Sequence, residues 1–398
     1  MAIRRDPDDF RVDEEPDPAR VASLAASASE QARVAVCRLA KRGTTTPDAA
    51  AGLARALGLP PQAVRWAGLK DRHASTSQLV SVDGPPARAV RSLERGIEGR
   101  GWRARTIGWS ATHVDAGWIR GNAFEIAVRD VGPAGLSLMH ERARLLGSGG
   151  DGPWFTNCFG DQRFGSARHG RGFAAPSLIA GDVLGALRLL VGTPARKDHG
   201  PRRSFTRACS ERWGDWAALA GRLPPLPERA AIERLAAGAS PEDAFMALPP
   251  ILRSMSVEAY QSWLWNDGAL RMVRTAVPGA TLAGGPFGPM AFAPSAAIPP
   301  AWFACAPPMP GPGMEFREPW GPAWREALDA QGISPDALVV PAIPGLTFAT
   351  VPRPLLARAT AFAIEPITAG QGDARGAWLR FSLPRGAYAT VLLRALGQ

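Results

Sequence analysis

Residues 67–78 read AGLKDRHASTSQ and crowd Lys70, Asp71, Arg72, His73, Ser75, Thr76 and Gln78 into one short stretch. A carboxylate set between two cations, as Asp71 is between Lys70 and Arg72, stays ionised and is held by charge-assisted hydrogen bonds. Such a group can act as a nucleophile or as a base. The same residues also suit a solvated loop laced with salt bridges, and His73 alone reads as a hydrogen-bonding loop residue.

A second stretch, NCFGDQRFG at residues 157–165, alternates Phe159 and Phe164 with an amide, an Arg and glycines that permit tight turns. Rings and amides together can stack on a splayed-out base and hydrogen-bond its edge. Two core phenylalanines flanking a turn would read the same way. A third, DPDDFRVDEEP, sets Phe10 in a short acidic segment near the start.

The elements that must position these groups alternate in the first part of the chain. QARVAVCRLA reads as a strand. TTTPDAAAGLARALG reads as a helix capped by Thr46, with Pro47 in its first turn and Gly58 at its end. VRWAG and SQLVSVDG are short strands. NAFEIAVRDV alternates Phe124, Ile126 and Val128 against Glu125, Ala127 and Arg129, the pattern of a half-buried antiparallel strand. From about Pro176 to Leu355 the texture is mainly helical, with helices near Ser177–Val191 and Val257–Val273 and loops between Pro286 and Pro322. Strands return in TAFAIEPI and AWLRFSL, and a helix follows in GAYATVLLRALG. This order predicts a domain inserted into a discontinuous one.

With 398 residues the chain is long enough for two cores, and 46% hydrophobic with 21% charged residues is a globular balance. No run of eighteen apolar residues suggests a membrane span, and the charged start MAIRRDPDDF lacks the apolar stretch of a signal peptide. A cytoplasmic location is expected. The net charge of +10 comes mostly from Arg, which suits a phosphate-bearing partner; Arg202, Arg203 and Arg207 form one candidate cluster. The four cysteines and five histidines show no ligand spacing, so reduced thiols, no metal and no disulfide framework are expected.

Together these segments resemble the TruD family of tRNA pseudouridine synthases. The family's motif G-x-K-D-K/R-x-A-x-T-x-Q is matched at every fixed position by GLKDRHASTSQ, and N-x-F-G-x-Q-R-F-G by NCFGDQRFG. A G-N-A-F strand appears as GNAFEIAVRDV. The C-terminal R-F-x-L-P-x-G-A/S-F/Y-A-T appears as RFSLPRGAYAT, and the N-terminal P-x-D-F-x-V-x-E as PDDFRVDE. All five stand in family order from Pro7 to Thr390. Two positions depart from the family's habit: Tyr388 stands where Phe is commoner, and Cys158 replaces the usual Tyr.

The resemblance implies an α+β fold. Residues 1–175 and 356–398 would form a discontinuous pseudouridine synthase core, a mixed sheet with flanking helices. Residues 176–355 would form an inserted, mainly helical TruD-type domain. It implies Asp71 as the catalytic aspartate, with Phe10, Asn157 and Tyr388 contacting the target uridine and Phe159 closing the pocket. Arg4 would pair with the aspartate, and Lys70 and Gln78 would shape its loop. The implied reaction isomerises uridine, at position 13 of tRNA, without a cofactor or metal, in a monomeric enzyme. Asp71 could attack C6 of the base, attack C1′, or remove the ribose 2′ proton. A non-catalytic RNA-binding protein on the same fold, and a synthase acting on another RNA, are the rival readings.

Overall fold

The structure is a computed structural model that describes residues 6–147, 152–167, 171–195, 198–367 and 376–398. The chain forms two compact units: Met1–Trp154 with Ala357–Gln398, and Phe155–Leu356. The second unit thus takes in residues 155–175, ahead of the Pro176 at which the helical texture begins. The reason is local: residues 157–163 bond to side chains of a long helix at residues 250–276.

The first unit is built on one mixed sheet. Its strands are β1 (Phe10–Pro16), β2 (Val34–Arg42), β3 (Val64–Trp66), β4 (Ser75–Asp83), β5 (Ile97–Gly99), β6 (Trp102–Ser110), β7 (Ile119–Arg129), β8 (Thr360–Pro366) and β9 (Gly376–Pro384). They lie in the order β8-β9-β7-β1-β4-β2-β6-β5, with β3 also beside β4. Only β1 and β4 run parallel, with Val12 level with Thr76; the other pairs are antiparallel. The period-2 patterns therefore became strands, and the C-terminal segment completes the sheet begun by the N-terminal one.

Alternation decides which face each side chain takes. On β2, Ala35, Cys37 and Leu39 pack against Leu53, Ala54 and Leu57 of helix α1 (Thr46–Leu57). Gly58 closes that helix in the left-handed conformation, φ 69°, which costs glycine little. The helix is capped by Thr45, whose Oγ1 accepts from Asp48 N, and not by Thr46 as the sequence suggests. Thr46 turns its hydroxyl inward, where it has other partners.

The second unit is mainly helical around α2 (Pro250–Ala276) and α3 (Gly321–Asp329). A Cβ on Gly268 would stand 2.6 Å from the Trp324 ring, so glycine there lets α3 approach closely. α2 is longer than its apolar period predicts, and the helix expected near Ser177–Val191 is two, Ala175–Ile179 and Val183–Gly192, parted at Gly181 with φ 78°. No helix among the described residues is long and apolar enough to cross a membrane.

Candidate active site

The loop between β3 and β4 carries Asp71, and it is pinned from several sides. Lys41, at the end of β2 and 2% exposed, donates from Nζ to the backbone carbonyl of Asp71 at 2.7 Å. Within the loop, the backbone N–H of His73 donates to Asp71 Oδ1 at 2.9 Å. Thr46 Oγ1 accepts from the backbone N–H of Lys70 at 3.1 Å and donates to Gln78 Oε1 at 2.9 Å. Gln78 Nε2 in turn donates to Gly68 O at 2.9 Å. The inward hydroxyl of Thr46 thus ties the start of α1 to the loop.

Lys70 does not simply flank the carboxylate. Its Nζ lies 2.9 Å from Glu14 Oε1 on β1 and donates to Asn122 Oδ1 on β7 at 2.6 Å. Glu14 Oε2 accepts from Leu79 N at 2.9 Å. The Glu14 side chain is 1% exposed and that of Lys70 12%. Such a pair offsets its desolvation better when further hydrogen bonds reach its members, as those from Lys70 to Asn122 and from Leu79 N to Glu14 do. Burial pushes the Lys41 ammonium down to about 8 from its ordinary 10.5. The charge of Asp71 opposes that fall and the charge of Lys70 adds to it.

Phe10 stands on the same face of β1 as Glu14, four residues away. It is buried and meets Phe124 edge-on at 6.2 Å, and Phe124 stacks on Phe381 at 5.3 Å. Tyr388 is half-buried at the cap of the helix Ala389–Ala395, just after β9. Asp71, Lys70, Gln78, Phe10 and Tyr388 therefore all belong to the first unit. Arg4 lies outside the described residues.

Asn157 and Phe159 belong to the second unit and share one partner there. Arg353 donates from Nε to Asn157 O and from Nη2 to Asn157 Oδ1, both at 2.9 Å. Its guanidinium lies 3.8 Å from the centroid of the Phe159 ring. The backbone of Phe159 exchanges two hydrogen bonds with the Asn266 amide of α2. A guanidinium that binds an amide through two donors and stacks on a ring fixes both orientations.

Sequence reasoning missed Lys41, Glu14, Asn122, Thr46 as a loop anchor, and Arg353. Glu14 and Asn122 sat inside the quoted motifs, and the signal available was a polar residue in an otherwise apolar strand position. Arg202 and Arg207, two of the three arginines expected to reach phosphate, are paired with Glu228 and Glu211. All four cysteines are buried as thiols, and burial pushes those of Cys37 and Cys209 up to about 12. Among the described residues no group of three or more His, Cys, Asp or Glu side chains is placed to hold a metal ion.

A mixed sheet with flanking helices and a pinned, carboxylate-bearing loop defines an α+β protein. The same fold occurs in the crystal structure of a Methanosarcina mazei protein assigned to tRNA pseudouridine synthase D. That structure matches with a TM-score of 0.68 and 22% identity, over 99% of this chain and 92% of the other. The family model described as tRNA pseudouridine synthase D (TruD) matches residues 1–283 and 298–396. The chain belongs to the TruD family.

Among its relatives, tRNA pseudouridine synthase D of Aquifex aeolicus is 30% identical over 261 residues, which is 65% of this chain and 65% of the relative. The chain thus spans a little under two-thirds of that relative's length. tRNA pseudouridine synthase D of Geobacter metallireducens is 32% identical over 374 residues, 89% of this chain and 86% of the relative.

Proposed function

We propose that the protein is a tRNA pseudouridine synthase in which Asp71 is the catalytic carboxylate and uridine 13 of tRNA is the target. The observation that carries this reading is the loop of Asp71. Its carbonyl is held by Lys41, one carboxylate oxygen by the His73 N–H, and its neighbour Lys70 by Glu14 and Asn122. A reacting group fixed this way spends little on orientation when substrate arrives.

In this reading the first unit is the discontinuous catalytic domain and the second is the inserted TruD-type domain. The uridine is flipped from its stack so that its glycosidic bond can be reached. Asp71 acts on the nucleoside, the C1′–N1 bond breaks, and the base turns and rejoins through C5. The C5 proton leaves and N1 gains one, so the product is an isomer and no electrons are exchanged. Phe10 and Tyr388 offer rings to the base. Asn157 offers an amide whose remaining hydrogen-bonding capacity is not used by Arg353 and Pro354. Phe159 closes the pocket, and Lys70 and Gln78 support the loop. The enzyme works in the cytoplasm as a monomer, with no cofactor.

The test is direct. Purified protein is incubated with an unmodified tRNA transcript, and pseudouridine is mapped by chemical labelling. Wild type forms it at position 13, and Asp71→Asn forms none while binding the transcript as tightly. Turnover by a folded Asp71→Asn protein would overturn the assignment.

A further inference from the structure

On β1, β2 and β4 the residues next to those of the Asp71 network point to the other face of the sheet. Asp13 turns away from Glu14, Ser77 from Gln78, and Arg38 and Ala40 from Leu39 and Lys41. The registers line these up: Asp13 is level with Ser77, Ser77 with Ala40, and Ala40 with Arg103 on β6. One row therefore runs Asp13, Ser77, Ala40, Arg103 and Glu98, with two small side chains between the charged ones. In the next row Arg38 stands directly opposite Arg105.

The small residues leave a trough of about 760 Å³, lined also by Ile97 and Ile107. Cavities of this size hold small ligands or parts of large ones. Like charges directly opposite on a sheet are unfavourable, and the nearest counter-charge in the registers is Glu98 on β5, level with Arg103. Arg103 and Arg105 are exposed and have neither an ion pair nor a side-chain hydrogen bond among the described residues. Arg38 has only long bonds, 3.4 Å to Glu14 O and 3.3 Å to Ser77 Oγ. Arg95 and Glu98 are also in the lining; Glu98, level with Arg103, offsets one charge and leaves the arginines in excess over the two carboxylates. Asp13 is three strand spacings from Arg103, about 14 Å, too far to neutralise it.

We infer that this trough is a second RNA contact, on the face of the sheet opposite the Asp71 network, and that it takes a stretch of RNA strand other than the target nucleotide. Arg38, Arg103 and Arg105 receive phosphates, and the floor of Ala40 with the Ile107 side chain receives the flat part of a nucleotide. Guanidinium forks match phosphate geometry. Arg103 and Arg105 are two residues apart along β6, about 7 Å, so they serve separate phosphates and suit a strand better than one free anion. The inference rests on the reading that the substrate is RNA.

The experiment compares the full-length wild type with Arg103→Gln/Arg105→Gln, a change at two exposed positions. Binding of an unmodified tRNA transcript is measured across a salt series, together with kcat and KM for pseudouridine formation. The double variant should bind several-fold more weakly, with a salt slope shallower by about two. Its kcat at saturating transcript should be unchanged. Arg103→Glu/Arg105→Glu should weaken binding further. An unchanged Kd and slope in the double variant, with a wild type that binds and isomerises, would overturn this inference and leave the functional reading standing. A wild type that binds no transcript would remove both. If uridine monophosphate protects wild-type Arg105 from chemical modification while transcript binding ignores the substitutions, the trough takes a free nucleotide and the inference fails.

Discussion

The ammonium of Lys41 donates to the backbone carbonyl of Asp71 at 2.7 Å and so joins the end of β2 to the loop that carries the carboxylate. Lys41→Met should keep the stem of the side chain and free the loop. A displacement of about 1 Å at a reacting group costs on the order of 100-fold, so kcat should fall far more than affinity for the transcript changes. An unaltered kcat would show that the loop holds its place without Lys41.

The same lysine gives a pH signature. Its folded value is pushed down to about 8 against an ordinary 10.5, so the unfolded chain binds its proton more tightly than the folded one. Stability from this group is fully present above about 10.5 and is lost as pH falls through about 8. The unfolding free energy of wild type relative to Lys41→Met should therefore rise between pH 8 and 10.5. A flat or falling difference would refute the burial argument.

The pair Lys70–Glu14 should respond sharply to the loss of one member. Glu14→Gln leaves a buried ammonium facing a neutral amide, and breaking a buried pair costs about 3–5 kcal/mol. Replacing both, as Glu14→Leu with Lys70→Met, should recover much of the stability in urea unfolding but not the activity. A loss under about 1 kcal/mol for Glu14→Gln would mean that the pair behaves as a surface one.

Neighbouring threonines should separate stability from catalysis. Thr45→Ala removes a helix cap, which costs about 1 kcal/mol, and should leave turnover alone. Thr46→Val keeps the shape but leaves the Lys70 N–H and Gln78 Oε1 without their partner, at about 1–3 kcal/mol for each unsatisfied group. Turnover should fall with it. Equal turnover in the two variants would show that Thr46 does not anchor the loop.

In the second unit, Arg353→Lys should not stand in for arginine. An ammonium cannot span Asn157 O and Oδ1 and stack on Phe159 at once. Arg353→Lys and Arg353→Ala should therefore lose similar amounts of kcat/KM. Near-normal activity in Arg353→Lys would show that only the charge matters.

Much of this was legible in the sequence because it was local. Alternation placed the strands around Val36, Val80 and Ile126, and Gly58 marked the end of α1. Fixed motif positions singled out Asp71, Lys70 and Gln78. What stayed hidden depends on pairing between distant residues. Lys41 reaches a carbonyl 30 positions away, and Arg353 an amide 196 positions away; neither local pattern contains its partner. The choice between Thr45 and Thr46 as the cap is a shift of one residue, decided by which hydroxyl the loop can use. Arg202 and Arg207 looked like a basic cluster, but their carboxylate partners lie on the same helix or 26 positions on, which charge counting does not reveal.

The position of β9 between β7 and β8 bears on how the chain is made. Residues 119–129 form their second set of ladder bonds only with residues 376–384, whereas residues 155–356 are contiguous. During translation the intervening unit can therefore fold on its own while one edge of β7 is still bare. At typical synthesis rates that interval is on the order of tens of seconds. An open strand edge invites pairing with other chains, so a nascent chain at this stage is the form most in need of a chaperone.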